Sequence, residues 1–314
     1  MKKLFFCLCL VCVILTSACA QRPAQLAAAQ IESTPRLLVM TAFSPESKQL
    51  LEDAQIIQRF TINGRTAHVG TLYGNPVVLA QSGVSMVNAA MSAQSLLDRF
   101  EITAIVFTGI AGGVNPDLHV GDVVIPAEWM QYQESHFARQ VGDGWNVGSA
   151  TRAYGNYGMI FPQPVGVTSN AHPLKEKSIF IFKADPGLLE IAEKAVTSAE
   201  LDRCVALSVG CLTETPKIVT GGRGVSGPTF VDNADYREWV WATFKADALD
   251  MESAAVAHVA YTNDVPFIAF RSLSDLAGGG PGENELPYFF TLAARNSARA
   301  VKAFLTAYAA QVNK

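Results

Sequence analysis

Two carboxylates in the stretch ALDMESAAVAHVAYTNDVPFIAFRSLSDLAGGG, residues 248–280, are spaced so that folding could bring them together. Ala248 to Met251 is a short apolar run, Glu252 to Thr262 has helical spacing without proline, and Val265 to Phe270 is a β-branched and aromatic run typical of a buried parallel strand. If the two flanking strands are parallel neighbours, Glu252 and Asp275 both emerge beyond strand carboxyl ends, where open α/β sheets bind ligands. Carboxylates so placed can accept hydrogen bonds from a ligand or exchange protons with it. Glu252 alone could be an acidic first-turn residue that complements a helix dipole. That reading leaves Asp275 unexplained, since it follows Ser274 at the end of an apolar strand and precedes a glycine-rich loop.

Other polar groups sit at strand ends earlier in the chain. Leu37 to Ala42 is an apolar strand followed by FSPES, where Ser44 can cap a helix with Pro45 at its first position and Glu46 just inside, an ordinary helix-dipole partner. An antiparallel section follows: Arg59 to Ile62, an Asn63-Gly64 turn, Thr66 to Leu72, a turn over residues 73–76, and Val77 to Gln81. Ser82-Gly83-Val84-Ser85 leads into a helix from about Met86 to Phe100, and the strand Thr103 to Thr108 ends in GIAGGV. There Gly109, Gly112 and Gly113 would let a ligand approach the backbone or would simply form a tight turn. Val120 to Pro126 is a further strand. Residues 128–173 lack periodicity and are expected to run over the surface with one hairpin, covering a pocket or making an oligomer contact. Helices are expected at Leu188–Ala199, Ala234–Phe244 and Leu286–Val312, with strands at Val205–Val209 and Lys217–Thr220.

Several familiar chemistries are disfavoured. The five histidines show no metal-ligand spacing and no CxxC is present, so no metal site is expected. Residues 222–227 match GxGxxG, but Pro228 and Thr229 stand where a dinucleotide-binding helix should begin. SGVS at Ser82 is not GxSxG, which argues against a serine hydrolase. The chain carries 24 Lys and Arg against 28 Asp and Glu, and no basic surface is concentrated enough to make nucleic acid a partner.

The first 20 residues, MKKLFFCLCLVCVILTSACA, have the charge, apolar core and small-residue end of a secretory signal. Cleavage after Ala20 would release the protein to the periplasm or the medium; a lipoprotein box over Thr16–Cys19 would instead lipidate Cys19, the sole membrane contact expected. Without Lys2 and Lys3 the charge balance is 22 to 28, a net −6. Residues 21–35, rich in Ala and Gln, form a tether, and residues 36–314, about 280 in number, suit a single α/β domain. Four of the six cysteines lie in the leader, leaving Cys204 and Cys211 either as a disulfide or as two buried thiols.

From about Leu37 onward, the chain resembles the nucleoside phosphorylase and nucleosidase superfamily, and is most similar to its 5′-methylthioadenosine/S-adenosylhomocysteine nucleosidases. The resemblance is carried by Ala42-Phe-Ser-Pro-Glu46, SGVSMVNAA from Ser82, TGIAGGVNPDLHVGDVV from Thr108, FKAD from Phe182, DMES from Asp250 and RSLSD from Arg271. Residues 211–240 look more like secreted relatives such as plant bark and vegetative storage proteins. The resemblance implies a three-layer α/β/α domain with a mixed, partly barrel-like sheet, no cofactor, and a homo-oligomer, either a dimer or a trimer of dimers. It implies that Asp275 is the general acid toward purine N7, oriented by Ser274, and that Glu46 positions the attacking water with help from Ser82 and Arg271. It further implies that Glu252 binds the ribose hydroxyls, that Met251 packs on the sugar, and that Phe230 and nearby backbone, with Ala111 and Gly112, hold the base. Where phosphorylases of the superfamily gather phosphate, this chain has Phe107, Ile110 and the acidic FSPES, so water is the expected nucleophile. The alternatives are a phosphorylase and a non-catalytic nucleoside-binding or storage-type protein.

Overall fold

The computed structural model describes residues 30–205, 210–280 and 282–312. The leader, residues 21–29 of the expected tether, and residues 206–209 of the expected Val205–Val209 strand lie outside the described residues. Along the chain come β1 (Glu32–Thr41), α1 (Ser44–Asp53), β2 (Gln55–Ile62), β3 (Arg65–Leu72), β4 (Asn75–Gln81), α2 (Met86–Leu97), β5 (Phe100–Gly113), β6 (Val123–Ile125) and β7 (Glu128–Gln131). After three small ribbons follow β8 (Phe182–Lys183), α3 (Pro186–Ala195), β9 (Ile218–Thr220), β10 (Arg223–Ser226), α4 (Ala234–Phe244), β11 (Ala248–Asp250), α5 (Ser253–Asn263), β12 (Phe267–Asp275) and α6 (Leu286–Val312).

The twelve labelled strands form one mixed sheet in the order β8-β7-β10-β11-β5-β1-β4-β3-β2, with β12 on the other edge of β5 and β6 and β9 beyond it. One face packs on alanine-rich α2 and α5, where Ala89, Ala93, Ala254, Ala257 and Ala260 let the helices lie close to the strands. The opposite face packs on α1, α3 and α6 through Leu50, Leu188, Val301 and Phe304. This is the three-layer α/β/α arrangement expected, with a sheet that is open and branched rather than closed into a barrel. The Asn63-Gly64 turn forms as expected, with φ of 50° and 75°, the left-handed pair that a tight hairpin between twisted strands requires.

The branch point is β5, which does not stop at Thr108 but runs on to Gly113 because β12 covers one of its edges as far as Gly112. On the other edge β1 leaves after Phe107, and β11 joins only at Gly112 and Gly113. Thr108 to Ala111 therefore have no strand partner on that side. The strands carrying the two carboxylates are also not parallel neighbours: β11 runs antiparallel to β5 and β12 parallel to it, on opposite edges. Glu252 and Asp275 are brought together by the intervening β5.

Other boundaries differ from expectation. β1 begins at Glu32, so residues 32–35, read as tether, belong to a strand that pairs with β5, and Arg36 is buried against Glu32 and the Gly70 carbonyl. α1 begins at Ser44 with Phe43 as its N-cap, one residue earlier than expected. The surface excursion holds β7 and three ribbons rather than one hairpin, pairing Ser135–Phe137 with Ile160–Pro162, Arg139–Val141 with Gly144–Asn146, and Val165–Ser169 with His172–Ile179. The first two ribbons are built of three-residue strands, too short to show a readable alternation.

Cys204 and Cys211 are joined by a disulfide, closing a loop seven residues apart in sequence. Asp202, next to it, pairs with Arg295 and Arg299 and so fastens the loop to α6. Non-reducing peptide mapping of protein isolated without reductant should recover a linked Cys204–Cys211 peptide, and Cys204→Ser should lower unfolding free energy by about 2–3 kcal/mol through loop-closure entropy. Unlinked peptides would contradict this.

Candidate active site

A cavity of about 270 Å³ lies at the fork of β5. Its apolar wall is made by Phe43, Val84, Ile110, Phe230, Met251 and Leu286, and its acidic groups are Glu46, Asp250, Glu252 and Asp275. Ala111, Gly112 and Ser274 also line it, while Ser82 and Arg271 do not.

Glu46 is placed by the first turn of α1. One carboxylate oxygen accepts from the Ala42 N–H at 2.6 Å and the Phe43 N–H at 3.4 Å, and the other accepts from the Ile110 N–H at 2.8 Å. The first pair ties up amides at the helix start, and the third bond takes a backbone donor that the β5 fork leaves without a strand partner. Burial pushes the Glu46 carboxyl above its usual range, against the pull of Arg271 and of these three N–H groups.

Arg271, on β12, is wholly buried behind the cavity. Its Nε lies 2.7 Å from Asp250 Oδ2, its Nη2 3.4 Å from Glu252 Oε2 and its Nη1 3.6 Å from Glu46 Oε1. The single N–H at Nε points to Ser253 Oγ at 3.0 Å, so the contact with Asp250 is an ion pair rather than an aligned hydrogen bond. Burial alone would weaken the guanidinium's hold on its proton, but Asp250, Glu46 and Glu252 more than offset this and raise its pKa. The Phe107 ring lies under the guanidinium, 4.5 Å from its central carbon, within cation–π range. A Cβ on Gly109 would lie 2.1 Å from Glu46 Oε1 and 2.4 Å from Arg271 Nη1. The glycine thus makes room for the ion pair, not for a ligand.

Glu252 is the N-cap residue of α5, with Oε1 accepting from the Ser85 N–H at 2.8 Å. Burial pushes its pKa up to about 7, with Arg271 pulling it down and Asp250 and Glu46 adding to the rise. At the far end of the cavity, Asp275 closes β12. Leu273 pairs with Ala111 and Asp275 with Gly112, so Ser274 is the extra residue of a bulge, which re-aims the side chains at a strand end. The Ser274 hydroxyl donates to Asp275 Oδ2 at 2.8 Å and the Ala277 N–H donates to Oδ1 at 2.9 Å. Burial raises the Asp275 pKa against these two bonds.

Of the residues singled out from sequence, Glu46, Glu252, Asp275, Ser274, Met251, Phe230, Ala111 and Gly112 come together around one cavity. Ser82 stands apart: it is fully buried and its hydroxyl donates to the Gly83 carbonyl at 2.8 Å. Arg271 acts on Glu46 and Glu252 from behind the wall. Phe107, expected at the nucleophile's corner, is buried beneath Arg271, which leaves Ile110 as the apolar residue facing the cavity there. Asp250, quoted in DMES without a role, belongs to the ion cluster; the available signal was a second acid two residues before Glu252 at a strand end.

Sheet, fork and carboxylate cavity together define a member of a known class: the chain belongs to the phosphorylase superfamily, whose family model matches residues 36–306. A 5′-methylthioadenosine/S-adenosylhomocysteine nucleosidase of Bacillus thuringiensis (strain Al Hakam) is 31% identical over 243 residues, covering 77% of this chain and 87% of that relative. Among solved structures, the nucleosidase of the same name from Neisseria meningitidis, in complex with methylthio-immucillin-A, superposes with a TM-score of 0.63 at 26% identity, covering 86% of this chain and 98% of that one. The nucleosidase from Colwellia psychrerythraea 34H, in complex with adenine, gives 0.64 at 27% identity, covering 88% and 97%.

Proposed function

We infer that the protein is a nucleosidase that hydrolyses the N-glycosidic bond of purine nucleosides of the 5′-methylthioadenosine/S-adenosylhomocysteine type. The observation that carries the reading is the placement of carboxyl groups around one cavity, Glu46 and Glu252 beside Arg271 at the level of Ile110 and Asp275 farther along β5 at Gly112. Relatives with adenine and methylthio-immucillin-A bound support a purine in this cavity. As the bond between C1′ and the purine breaks, positive charge grows on the ribose and negative charge on the base. Asp275 gives its proton to N7 of the leaving purine, with Ser274 fixing the carboxyl. Glu252 accepts hydrogen bonds from the ribose hydroxyls, and Met251 packs on the sugar. Water held by Glu46 attacks C1′ and loses a proton to that carboxylate, so the products are free purine and 5-substituted ribose. Arg271 keeps Glu46 and Glu252 in place from behind. A protein that only binds or stores nucleosides has use for Glu252 but none for an acid and a base at opposite ends of the ligand.

Asp275→Asn should abolish turnover by about 10²–10⁴-fold while sparing affinity, because the amide keeps the shape but cannot supply a proton. Asp275 works protonated and Glu46 works ionised. The rate should therefore climb with pH as Glu46 loses its proton and fall once Asp275 loses its own, and the upward shift of Asp275 extends activity toward neutral pH. A near-normal rate in Asp275→Asn, with the alkaline limb in place, would remove the residue from this role.

Product formation should not depend on phosphate. A dianion entering beside Ile110 would meet Glu46, with Arg271 already shared among three carboxylates. One like-charge contact near ~4 Å costs about 4 kcal/mol at an effective dielectric of ~20. Free 5-substituted ribose should accumulate equally fast in phosphate and in a phosphate-free buffer of equal ionic strength. Ribose 1-phosphate and saturation with phosphate would instead establish a phosphorylase.

We further propose that the protein is exported, periplasmic or secreted, or held at a membrane through a lipid on Cys19, and that it works as a homo-oligomer. The leader composition and the disulfide support export. Intact-mass analysis of protein from its native compartment distinguishes a start at Gln21 from a lipidated Cys19, and a start at Met1 would rule out both. Native mass spectrometry reads the subunit number, and a monomer would contradict the oligomer.

A further inference from the structure

Asp250 has no role in the chemistry above, yet both of its carboxylate oxygens are engaged. Oδ1 accepts from the Glu252 N–H and the Ser253 N–H, each at 3.1 Å, and from the Ser226 hydroxyl. It thus caps α5 at the residue that presents Glu252. Ser226, on the parallel neighbour β10, also accepts from the Ala254 N–H at 2.8 Å, so strand, cap and helix start form one unit. Oδ2 makes the shortest of the three contacts to Arg271, 2.7 Å against 3.4 and 3.6 Å for Glu252 and Glu46.

We propose that Asp250 is a positioning residue: it takes the main share of the Arg271 charge, so that Glu46 and Glu252 are held beside the guanidinium without being captured by it, and it fixes the turn that aims Glu252 at the cavity. The proposal rests on the nucleosidase reading only for the roles given to Glu46 and Glu252.

The charged and titratable groups around the cluster come from four directions: Glu46 on α1, Glu252 at the start of α5, Arg271 on β12, and Tyr132 just after β7, whose hydroxyl feels Asp250. If Asp250 loses its charge, Glu252 loses a neighbour of like sign, and Glu46 and Glu252 both gain a larger share of Arg271. Both effects favour their ionised forms. Their titration should then move to lower pH, by about one unit or more, the lower end of what one adjacent charge does.

The test compares Asp250→Asn and Asp250→Glu with the unaltered protein. Infrared difference titration follows protonated buried carboxyls directly, and the acid limb of the rate–pH profile follows Glu46 in turnover. In Asp250→Asn both should shift down by about one unit, and Asp250→Glu, which restores the charge, should return them. A uniform fall in rate with titration and limb unmoved would reduce Asp250 to a packing residue and overturn the proposal. Ser226→Ala covers the case in which Asp250→Asn does not fold, because it removes the side-chain bond to Asp250 Oδ1 and the acceptor of the Ala254 N–H, loosening the turn without removing a charge. It should weaken nucleoside binding several-fold with the titration unmoved, and unchanged binding overturns the link from Asp250 to Glu252. The infrared titration needs no turnover, so an unaltered protein that cleaves no nucleoside would sink the nucleosidase reading and leave this test standing.

Discussion

A guanidinium with no exposure to solvent is tolerable in a protein interior only if counter-charges accompany it throughout. Arg271 has three, drawn from two parts of the chain: Glu46 from α1, and Asp250 and Glu252 from the turn between β11 and α5. The cation itself is delivered by β12 and rests on the Phe107 ring of β5. Removing one partner from such a group leaves a buried charge incompletely matched, a loss of about 3–5 kcal/mol for simple buried pairs. The cluster therefore does more than furnish a site. It ties the β1–α1 segment to the β11–α5 segment across a place where the sheet does not hold them together.

That place is the fork of β5, where four residues lack a strand partner on one edge. Buried backbone donors and acceptors must be satisfied somehow. At Ile110 the N–H goes to Glu46 at 2.8 Å and the carbonyl accepts from Arg271 at 3.3 Å. The ion cluster stands in for the missing strand. A cavity can then open against main chain without stranding its polar groups, and the residues that make this possible are those that face the ligand. Gly109 belongs to the same arrangement, because any side chain there would occupy the space of the Glu46–Arg271 contact.

Much of this was legible in the sequence, for identifiable reasons. Long apolar runs and the Asn63-Gly64 turn mark β1, β3, β4 and α2, because hydrophobic period and turn chemistry are local properties. Glu252 and Asp275 could be picked out because each stands at or just beyond the end of a strand. The geometry joining them could not be read that way. They were expected on parallel neighbours, whereas β5 lies between their strands and β11 runs against it, since strand order is decided by long-range packing. The resemblance puts Phe107 and Ile110 together at the nucleophile's corner. They are three residues apart on a strand, where successive side chains alternate faces, and one lies under Arg271 while the other lines the cavity. In residues 135–162 the ribbon strands have three residues each, too few for a period to show, and the longer strand His172–Ile179 is exposed along most of its length and so carries no apolar alternation.

The cavity contains the same functional group in two kinds of electrostatic company. Glu46 and Glu252 are buried, and burial raises both pKa values, but each is pulled back toward ionisation by Arg271. Asp275 is buried to a similar degree and has no such help among the described residues. Its partners are neutral, a backbone N–H, the Ser274 hydroxyl and the Asn284 amide, and the charge it feels is that of Glu285, which adds to the rise. Carboxyl groups whose surroundings push their protonation apart are what acid and base work at one pH requires. At the Arg271 end, an ionised carboxylate is favoured next to a ribose on which positive charge grows. At the Asp275 end, a retained proton is favoured next to a base on which negative charge grows. The fork supplies this asymmetry, because Arg271 points back toward Asp250 and Glu46, four residues before Asp275 along β12, and leaves the strand's last carboxyl without a cation.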